Sequence, residues 1–382
     1  MKILVYCQHV LGIGHLCRIL AILRALDDHR ITLVLGGPPV DLEFPDHVRV
    51  VQLPPLRMDA DFQNLQPVDP AGSLDQVRTA RRRQLLELFR GLQPDVLLIE
   101  LFPFGRYAFR FELDPLLEEA RTANRAIPVV CSVRDILVER DNAERFENRV
   151  VSRLNRNFDL LMIHGDPAVL TLDETFSGLD RIHIPIVYTG YICETAAPGS
   201  REELRGRLEI APGEVLIVCS AGSGSVGHGL LEAVVRAARL LPRVRMQVFT
   251  GPYLDRQHVD RLRRLAPPSC RIDRFADDFP VWLAAADLSV SMGGYNTTMN
   301  VVAAGCPALI YPFAQNREQR LRAERLQGRT AIRLLDAKDL DPERLALLMS
   351  DTMTGKRQES DVALDGAAAA ARQLCRLQEA RP

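Results

Sequence analysis

The chain has 382 residues, of which 47% are apolar and 25% are charged, and its formal net charge is −1. This composition is typical of a soluble globular protein, and the near-neutral charge argues against nucleic acid as a partner. At about 150 residues per domain, the length predicts two or three domains.

Short apolar runs alternate with amphipathic segments along the whole chain, which is typical of parallel sheets covered by helices. The predicted strands span residues 2–7, 31–36, 48–53, 95–100, 127–133, 159–164, 184–190, 215–221, 244–250, 270–275, 287–292, 307–312 and 330–335. The sequence therefore predicts an α/β protein with two doubly wound domains that face a central cleft. Ligands of such sheets bind at the carboxyl ends of the strands.

A change in composition marks the boundary between the two predicted domains. The stretch 191–214 holds Ala-Ala-Pro-Gly-Ser at its centre, which is typical of an interdomain linker. We place the boundary near Pro198, so that the first domain spans residues 1–190 and the second spans residues 198–350.

Three further segments lie outside the regular alternation. Residues 53–73 are too long for a simple connection and predict a substrate-facing or disordered loop. The arginine-rich residues 78–90 predict a helix with a solvated face, and the alternative is contact with an acidic membrane surface or an acidic acceptor. The alanine-rich residues 357–380 predict a final helix.

Cysteine usage and the amino terminus bear on location. The eight cysteines show no CxxC spacing and several lie in apolar strands, which predicts reduced, buried thiols. The first apolar run is too short for a signal peptide, and no segment approaches about 18 uninterrupted apolar residues. We therefore expect a cytoplasmic protein, with peripheral attachment to the inner face of a membrane as the alternative.

The first strand leads directly into the loop GIGH, residues 12–15. Gly12 and Gly14 allow a tight turn, and His15 begins a helix with an apolar face. The positive end of the helix dipole favours neutral imidazole by about 0.3–1 kcal/mol, and a neutral histidine can accept a proton. His15 is a candidate catalytic base or a residue that only caps the turn, and His9 on the same loop is a second candidate.

Two loops of the second half are rich in glycine and small polar residues. The first follows the strand VLIVCS and consists of Gly222, Ser223, Gly224 and Ser225. Exposed amides and hydroxyls before a helix suit phosphate oxygens, although the loop matches neither GxxxxGK[ST] nor GxGxxG. The alternative is a flexible turn between a strand and a helix.

The second loop follows the strand DLSVSM and consists of Gly293, Gly294, Tyr295, Asn296 and Thr297. A diphosphate between the two helix N-termini would need neither lysine nor metal. No strong metal-ligand set is visible, and the triplet Asp-Ala-Asp at residues 59–61 lies in a loop rather than after a strand. We therefore expect no metal.

Other polar residues follow the ends of strands. Glu100 ends the fourth strand, Asp135 follows the fifth, and each is a candidate for the catalytic base or a cap of the next helix. Glu318 and Gln319 begin a helix after the strand PALIYP. A carboxylate and an amide side by side suit the hydroxyls of a sugar, and the alternative is a solvated first turn.

These motifs together resemble the GT-B glycosyltransferases of family 28. Within them, the chain resembles the branch that contains the N-acetylglucosaminyltransferase that makes lipid II. The resemblance covers most of the chain and is sharpest in GIGH, GSGS, NREQ and RFADDFPVWLAAADLSVSMGGYNTTMNVVAAGCPALIYPF. The chain is also similar to a group of glycosyltransferases that begin KILVYCQHVLGIGHL and carry VLLIELFPFGR and SVRDIL.

The resemblance implies two Rossmann-like domains, with the donor held mainly by the second, the acceptor by the first, and the last helix packing back on the first. It implies that Gly222 to Gly224 and Gly294 to Thr297 flank the diphosphate. Phe275 and Ala276 would meet the nucleobase and Gln319 the donor sugar. Where the family carries a ribose-binding glutamate, this chain has Asn300, which is uncharged and has one oxygen fewer.

We therefore expect metal-independent, inverting transfer from a nucleoside diphosphate sugar, with a UDP-sugar favoured, to a small or lipid-linked hydroxyl acceptor. The nucleotide sugar is a substrate, so no cofactor is expected. Two alternatives remain. GxGHxxR also resembles UDP-sugar hydrolases, in which water replaces the acceptor, and the third interpretation is a non-catalytic nucleotide-sugar binding protein.

Overall fold

The structure, a computed structural model, describes residues 1–9, 13–40, 42–58, 64–69, 72–123, 127–138, 142–222, 226–313, 315 and 317–379. It divides into two compact units. The first comprises Met1–Ile192 and the segment from Asp365, and the second comprises Cys193–Leu364. The division therefore falls a few residues before Pro198.

The first unit is built on a seven-stranded parallel sheet with the order β3-β2-β1-β6-β7-β8-β9. The strands of this unit are β1 (Lys2–Tyr6), β2 (Arg30–Leu35), β3 (Val48–Gln52), β4 (Leu56–Met58), β5 (Leu65–Pro67), β6 (Val96–Glu100), β7 (Val129–Arg134), β8 (Leu160–His164) and β9 (Ile186–Tyr188). The central strands bury almost every side chain, as expected of a parallel sheet covered on both faces. The strand order reverses between β1 and β6, which is where such sheets bind ligands.

Helices cover both faces of this sheet. They are α1 (Gly14–Arg24), α2 (Leu74–Leu92), α3 (Arg110–Thr122) and α4 (Ala143–Asn157). Helix α1 buries Leu16, Ile19, Leu20 and Leu23, whose spacing places them on one face of a helix. That face fixes the start of α1 against the sheet.

The second unit has a six-stranded parallel sheet with the order β12-β11-β10-β13-β14-β15. Its strands are β10 (Val215–Ser220), β11 (Val244–Phe249), β12 (Cys270–Asp273), β13 (Leu288–Met292), β14 (Ala308–Tyr311) and β15 (Ile332–Leu334). Its helices are α5 (Ser200–Arg207), α6 (His228–Ala237), α7 (Arg256–Leu265), α8 (Phe279–Ala285), α9 (Tyr295–Ala304), α10 (Arg317–Leu326) and α11 (Pro342–Thr352). Here the order reverses between β10 and β13.

The last helix, α12 (Gly366–Glu379), belongs to the first unit. Its residues Ala370, Ala371 and Leu374 are buried in the same apolar cluster as α1. The helix begins at Gly366 rather than near 357. A side chain on Gly366 would start only 2.4 Å from the Gly190 carbonyl oxygen, so this close approach requires glycine.

All thirteen predicted strands are present, and the α/β fold class is confirmed. The structure differs from the prediction in three details. The stretch 53–73 contains the short antiparallel pair of β4 and β5, and the linker 191–214 contains α5. The arginines of residues 78–90 are not all solvated, because Arg81 is fully buried.

Arg81 is the centre of a buried polar cluster. Its guanidinium donates to both carboxylate oxygens of Glu112, at 2.6 and 2.9 Å, and to the side-chain oxygen of Gln8 at 2.9 Å. It also donates to the carbonyl oxygens of Gly36 and Pro54, each at 2.8 Å. One side chain thereby ties together α2, α3 and the ends of β1 and β2.

Replacing Arg81 with methionine should lower the free energy of unfolding by about 3–5 kcal/mol, because it leaves the Glu112 carboxylate buried without its cation. Urea unfolding followed by far-UV circular dichroism measures the change. The control is Arg82→Met at the next, exposed position, where we expect a change within about 0.5 kcal/mol. Equal unfolding midpoints for the two variants would show that the buried pair does not stabilise the unit.

Candidate active site

The reversal point of the first sheet brings His15 and Glu100 together. Glu100 is the last residue of β6, and the segment after β1 leads into α1, whose second residue is His15. The His15 Nδ1 lies 2.5 Å from the Glu100 Oε1. The Glu100 side chain is fully buried, whereas the His15 side chain is 19% exposed. The pair is therefore a buried carboxylate behind an accessible imidazole.

Arg18 completes this cluster one turn along α1. Its Nη2 donates to the same Glu100 Oε1 at 2.9 Å and lies 3.0 Å from the His15 Nδ1. An ionised carboxylate can only accept, so the short contact with His15 requires a proton on Nδ1. In the neutral ring, Nε2 then carries the free lone pair.

The charges of the cluster follow from its burial. Burial lowers the pKa of His15 to about 4, although the Glu100 carboxylate opposes this effect. Burial alone would raise the pKa of Glu100, but the neighbouring His15 and Arg18 outweigh it and hold that pKa at about 2. At neutral pH the site therefore holds an ionised glutamate, a charged arginine and a neutral histidine.

Other polar residues at this edge have different surroundings. Asp135 is buried after β7, and the side chain that pairs with the His15 Nδ1–H among the described residues is Glu100, not Asp135. His164 is fully buried between the hydroxyls of Ser132 and Thr189, at 2.7 and 2.9 Å, which identifies it as a structural histidine.

His9 also has a structural environment. It is buried, and its Nε2 lies 2.7 Å from the Pro38 carbonyl oxygen. Burial lowers the pKa of His9. Of the two histidines on the first loop, His15 is the more accessible.

The reversal point of the second sheet brings its two glycine-containing loops together. Gly222, after β10, adopts a φ of +66°, and its added Cβ would lie 4.0 Å from the Thr297 Oγ1 in the first turn of α9. Ser223, Gly224 and Ser225 lie outside the described residues. Gly294 is the N-cap of α9, and a Cβ added there would meet no atom of the described residues within 4 Å. The N-terminus of α9 therefore faces open space beside Gly222.

The start of α10 lies next to the same loop. A Cβ on Gly293 would lie 3.1 Å from the Gln319 Cβ, and the Gln319 Oε1 accepts a hydrogen bond from the Phe313 N–H at 2.9 Å. This bond leaves the two donors of the Gln319 amide nitrogen for another partner. Glu318 is buried, so the predicted alternative of a solvated first turn is wrong for that residue.

Comparisons with known proteins agree with this geometry. Residues 216–374 match the glycosyltransferase family 28 C-terminal domain. An uncharacterized glycosyltransferase of Methanosarcina acetivorans is 23% identical over 356 residues, which cover 85% of this chain and 82% of that protein. This chain is a glycosyltransferase, and its likeness to family 28 lies in residues 216–374.

A second relative of this glycosyltransferase comes from Thiobacillus denitrificans. It is a UDP-N-acetylglucosamine--N-acetylmuramyl-(pentapeptide) pyrophosphoryl-undecaprenol N-acetylglucosamine transferase, 33% identical over 165 residues. The match covers 41% of the glycosyltransferase and 42% of the relative, which is less than half of each chain.

Solved structures show that the glycosyltransferase has the GT-B fold. The calicheamicin glycosyltransferase CalG4 aligns with a TM-score of 0.60 at 17% identity, over 99% of this chain and 94% of that one. Anabaena Alr3699/HepE in complex with UDP and glucose aligns at 0.56 and 16%, over 99% and 97%. The spinosyn rhamnosyltransferase SpnG complexed with thymidine diphosphate aligns at 0.56 and 18%, over 100% and 97%.

Four predicted donor residues have surroundings that the sequence did not indicate. The Asn300 Oδ1 accepts a hydrogen bond from the Glu194 N–H at 3.2 Å, which ties α9 to the segment before α5. Phe275 is 50% exposed between β12 and α8, where Ala276 follows it. Tyr295 is buried, with the Arg322 guanidinium 5.1 Å from its ring, whereas Asn296 is only partly buried.

Two arginines, Arg18 and Arg106, lie near the His15–Glu100 pair, although the motifs GxGHxxR and VLLIELFPFGR that contain them did not indicate a role for either. Arg18 lies three residues after His15 on α1, a spacing that places both on one face of the helix. Arg106 influences the pKa values of His9, His15 and Glu100, and its backbone has a φ of +58°. In the sequence, Arg106 is the last residue of the motif VLLIELFPFGR, six residues after the carboxyl end of β6.

The described residues contain neither a metal-ligand group nor a membrane-spanning helix. No group of three or more histidine, cysteine, aspartate or glutamate side chains is placed to hold a metal ion, and residues 59–61 lie outside the part described. No described helix is both long and apolar enough to cross a membrane. All eight cysteines are free thiols, as predicted, and five of them are buried.

In solution at neutral pH, the His15 ring should be neutral with its proton on Nδ1. Nitrogen NMR of the histidine-labelled protein reports both the tautomer and the titration midpoint, which we expect near 4 instead of the ordinary 6.5. In the variant Glu100→Leu, the His15 ring should no longer prefer the tautomer with its proton on Nδ1. A wild-type ring that titrates near 6.5, or that carries its proton on Nε2, would contradict the assignment.

The same shift makes the stability depend on pH. As the pH falls below about 6.5, the unfolded chain binds a proton at His15 that the folded chain resists until about 4. The contribution of the neutral ring to stability is therefore complete above about 6.5 and is lost progressively between about 6.5 and 4.

Proposed function

We propose that this glycosyltransferase is inverting and metal-independent, and that it moves a sugar from a UDP-sugar to a small or lipid-linked hydroxyl acceptor. The observation that carries the proposal is the hydrogen bond between the His15 Nδ1 and the buried Glu100. It leaves the accessible Nε2 as a base, at the edge of the sheet where ligands of such folds bind.

In the proposed reaction, the His15 Nε2 takes the proton of the acceptor hydroxyl while the hydroxyl oxygen attacks the anomeric carbon of the donor. The bond from that carbon to the diphosphate breaks, and the nucleoside diphosphate leaves with the electron pair. One displacement inverts the configuration at the anomeric carbon. Glu100 stabilises the imidazolium that forms, as the acid of a catalytic triad does.

This assignment separates the roles of the three predicted catalytic residues. His15 is the catalytic base, because its side chain is the accessible member of the cluster. Glu100 is fully buried and hydrogen-bonded to His15, so we assign it as a positioning residue. Asp135 is also buried, and we do not include it in the proton transfer.

For the donor, we propose that the diphosphate lies between the loop after β10 and the N-terminus of α9. Gly222, Gly294 and the backbone N–H groups that follow Gly294 would face its oxygens, with Ser223, Gly224 and Ser225 as further ligands. The dipole of α9 and the backbone donors would stabilise the departing diphosphate without a metal or another cofactor.

The remaining donor contacts extend from this loop. We propose that Phe275 and Ala276 meet the nucleobase, and that the Gln319 amide nitrogen donates to sugar hydroxyls beside Glu318. The Asn300 Oδ1 already accepts from Glu194, so its amide nitrogen would bind the ribose as a donor. Uridine is the base we favour, because the Thiobacillus relative is named for a UDP-sugar and Alr3699/HepE binds UDP.

A panel of UDP- and TDP-sugars, incubated with and without a mixture of hydroxyl acceptors, tests the proposal through nucleotide release. We expect multi-turnover release that requires an acceptor, with inverted configuration in the glycoside, and full activity in EDTA. Release of free sugar at the same rate without an acceptor would replace transfer with hydrolysis. Strict dependence on added metal would contradict the proposal that backbone amides and the helix dipole stabilise the diphosphate without a metal.

Gly294→Ala tests the donor site without disturbing the fold. The backbone at Gly294, with φ −63° and ψ 146°, accepts alanine, and the added methyl group meets no protein atom. It would project into the space that we assign to the diphosphate. We expect the affinity for UDP, measured by calorimetry, to fall about tenfold or more while the unfolding temperature is unchanged or slightly higher.

The matched control is Gly206→Ala in α5, where the added Cβ also meets nothing within 4 Å. It should leave UDP affinity unchanged. Unchanged affinity in Gly294→Ala as well would place the diphosphate elsewhere.

A further inference from the structure

The first unit has a cavity that is not lined by His15, Glu100 or Arg18. It is a groove of about 780 Å³ along α3 and α4, and its lining includes Tyr107. The arginines that line it are Arg121, Arg149, Arg153 and Arg156. The carboxylates are Asp114 and Glu118, so the lining has two more positive than negative groups.

Arg149 is held in place by aromatic rings instead of by an anion. Its guanidinium carbon lies 4.0 Å from the centre of the Tyr107 ring and 5.7 Å from that of Phe146. Within the described parts of the chain, its guanidinium makes no hydrogen bond or ion pair, and its Nε is shielded from solvent. Stacking fixes the plane of the guanidinium, while the N–H groups at its outer edge remain available.

The other arginines of the groove divide into two kinds. Arg153 donates to both oxygens of Asp114, at 2.9 and 3.2 Å, and Arg121 donates to Asp159 at 3.1 Å. Arg156 is exposed and, like Arg149, has no anionic partner among the residues that the structure describes. With Asp159 and Glu118 both counted, the groove keeps an excess of one positive charge, and the two arginines that could meet an anion are Arg149 and Arg156.

The spacing of these two residues limits the ligand. They lie seven positions apart on α4, which places them on one face and about 10.5 Å apart along the helix axis. A single small anion would engage one of them, whereas a ligand with two or more phosphate groups can engage both. The planar guanidinium fork matches two phosphate oxygens at once.

We propose that this groove, formed by α3, α4 and Tyr107, is a binding site for a diphosphate or polyphosphate group. The group belongs either to a soluble phosphorylated compound or to the headgroup of a lipid, which share this chemistry. The site is distinct from the proposed catalytic cluster, because none of His15, Glu100 and Arg18 lines the groove.

Calorimetry with inorganic pyrophosphate tests the site in the full chain, at fixed ionic strength and with saturating UDP to occupy the donor loops. The wild-type protein should bind pyrophosphate under these conditions. The double variant Arg149→Gln/Arg156→Gln should weaken binding about tenfold or more. The charge-matched control Arg82→Gln/Arg83→Gln, at exposed positions of α2, should weaken binding less than about threefold.

A second arm measures cosedimentation with cardiolipin vesicles, whose headgroup carries two phosphate groups, with phosphatidylcholine vesicles as the reference. Loss of vesicle binding in the Arg149/Arg156 variant alone, without pyrophosphate binding in the wild type, would identify a lipid headgroup as the source and support the site. Equal losses of binding in both double variants would show that binding depends only on the overall charge of the protein, and this would overturn the proposal. Absence of wild-type binding in both arms would overturn it too.

The variant Arg149→Lys distinguishes a specific loss of pyrophosphate binding from a loss caused by misfolding. It keeps the charge of the groove but removes the planar fork, so pyrophosphate binding should weaken severalfold while the unfolding temperature stays near that of the wild type. Wild-type affinity in Arg149→Lys would show that the stacked guanidinium is not the recognition element.

Discussion

The hydrogen bond from the His15 Nδ1 to Glu100 is the interaction on which the proposed chemistry depends. It exists because β1 and β6 are neighbours in the sheet although 85 residues separate the two side chains. Burial keeps the imidazole neutral, and the carboxylate fixes its tautomer. Neither effect alone would produce an accessible, correctly oriented base. The buried cluster around Arg81 also contacts this end of β1, because Arg81 donates a hydrogen bond to the side-chain oxygen of Gln8.

In the second unit, too, the candidate site lies where the strand order reverses, but it consists of backbone groups instead of side chains. Its strand order also reverses at the centre of the sheet, between β10 and β13, and the segments after those strands bring Gly222 next to the N-terminus of α9. Glycine is needed there for opposite reasons at its two positions. Gly222 adopts a positive φ, whereas Gly294 has an ordinary backbone and leaves space open.

Much of the fold was accessible from the sequence, because apolar runs of strand length are buried on both faces of parallel sheets. The two glycine loops and His15 could also be placed, since each directly follows a strand. What the sequence could not show depends on distant contacts. That Glu100 pairs with His15, that Arg81 is buried against Glu112, and that Asn300 bonds to Glu194 are consequences of strand order and helix packing. No local pattern encodes them.

The most direct test of the account is the rate of sugar transfer by His15→Ala at saturating donor. Loss of the general base should lower turnover by roughly a hundredfold to ten-thousandfold, while the affinity for the nucleotide stays that of the wild type, because the donor loops belong to the other unit. Normal turnover in His15→Ala would contradict the central claim that the neutral imidazole beside Glu100 accepts the acceptor proton.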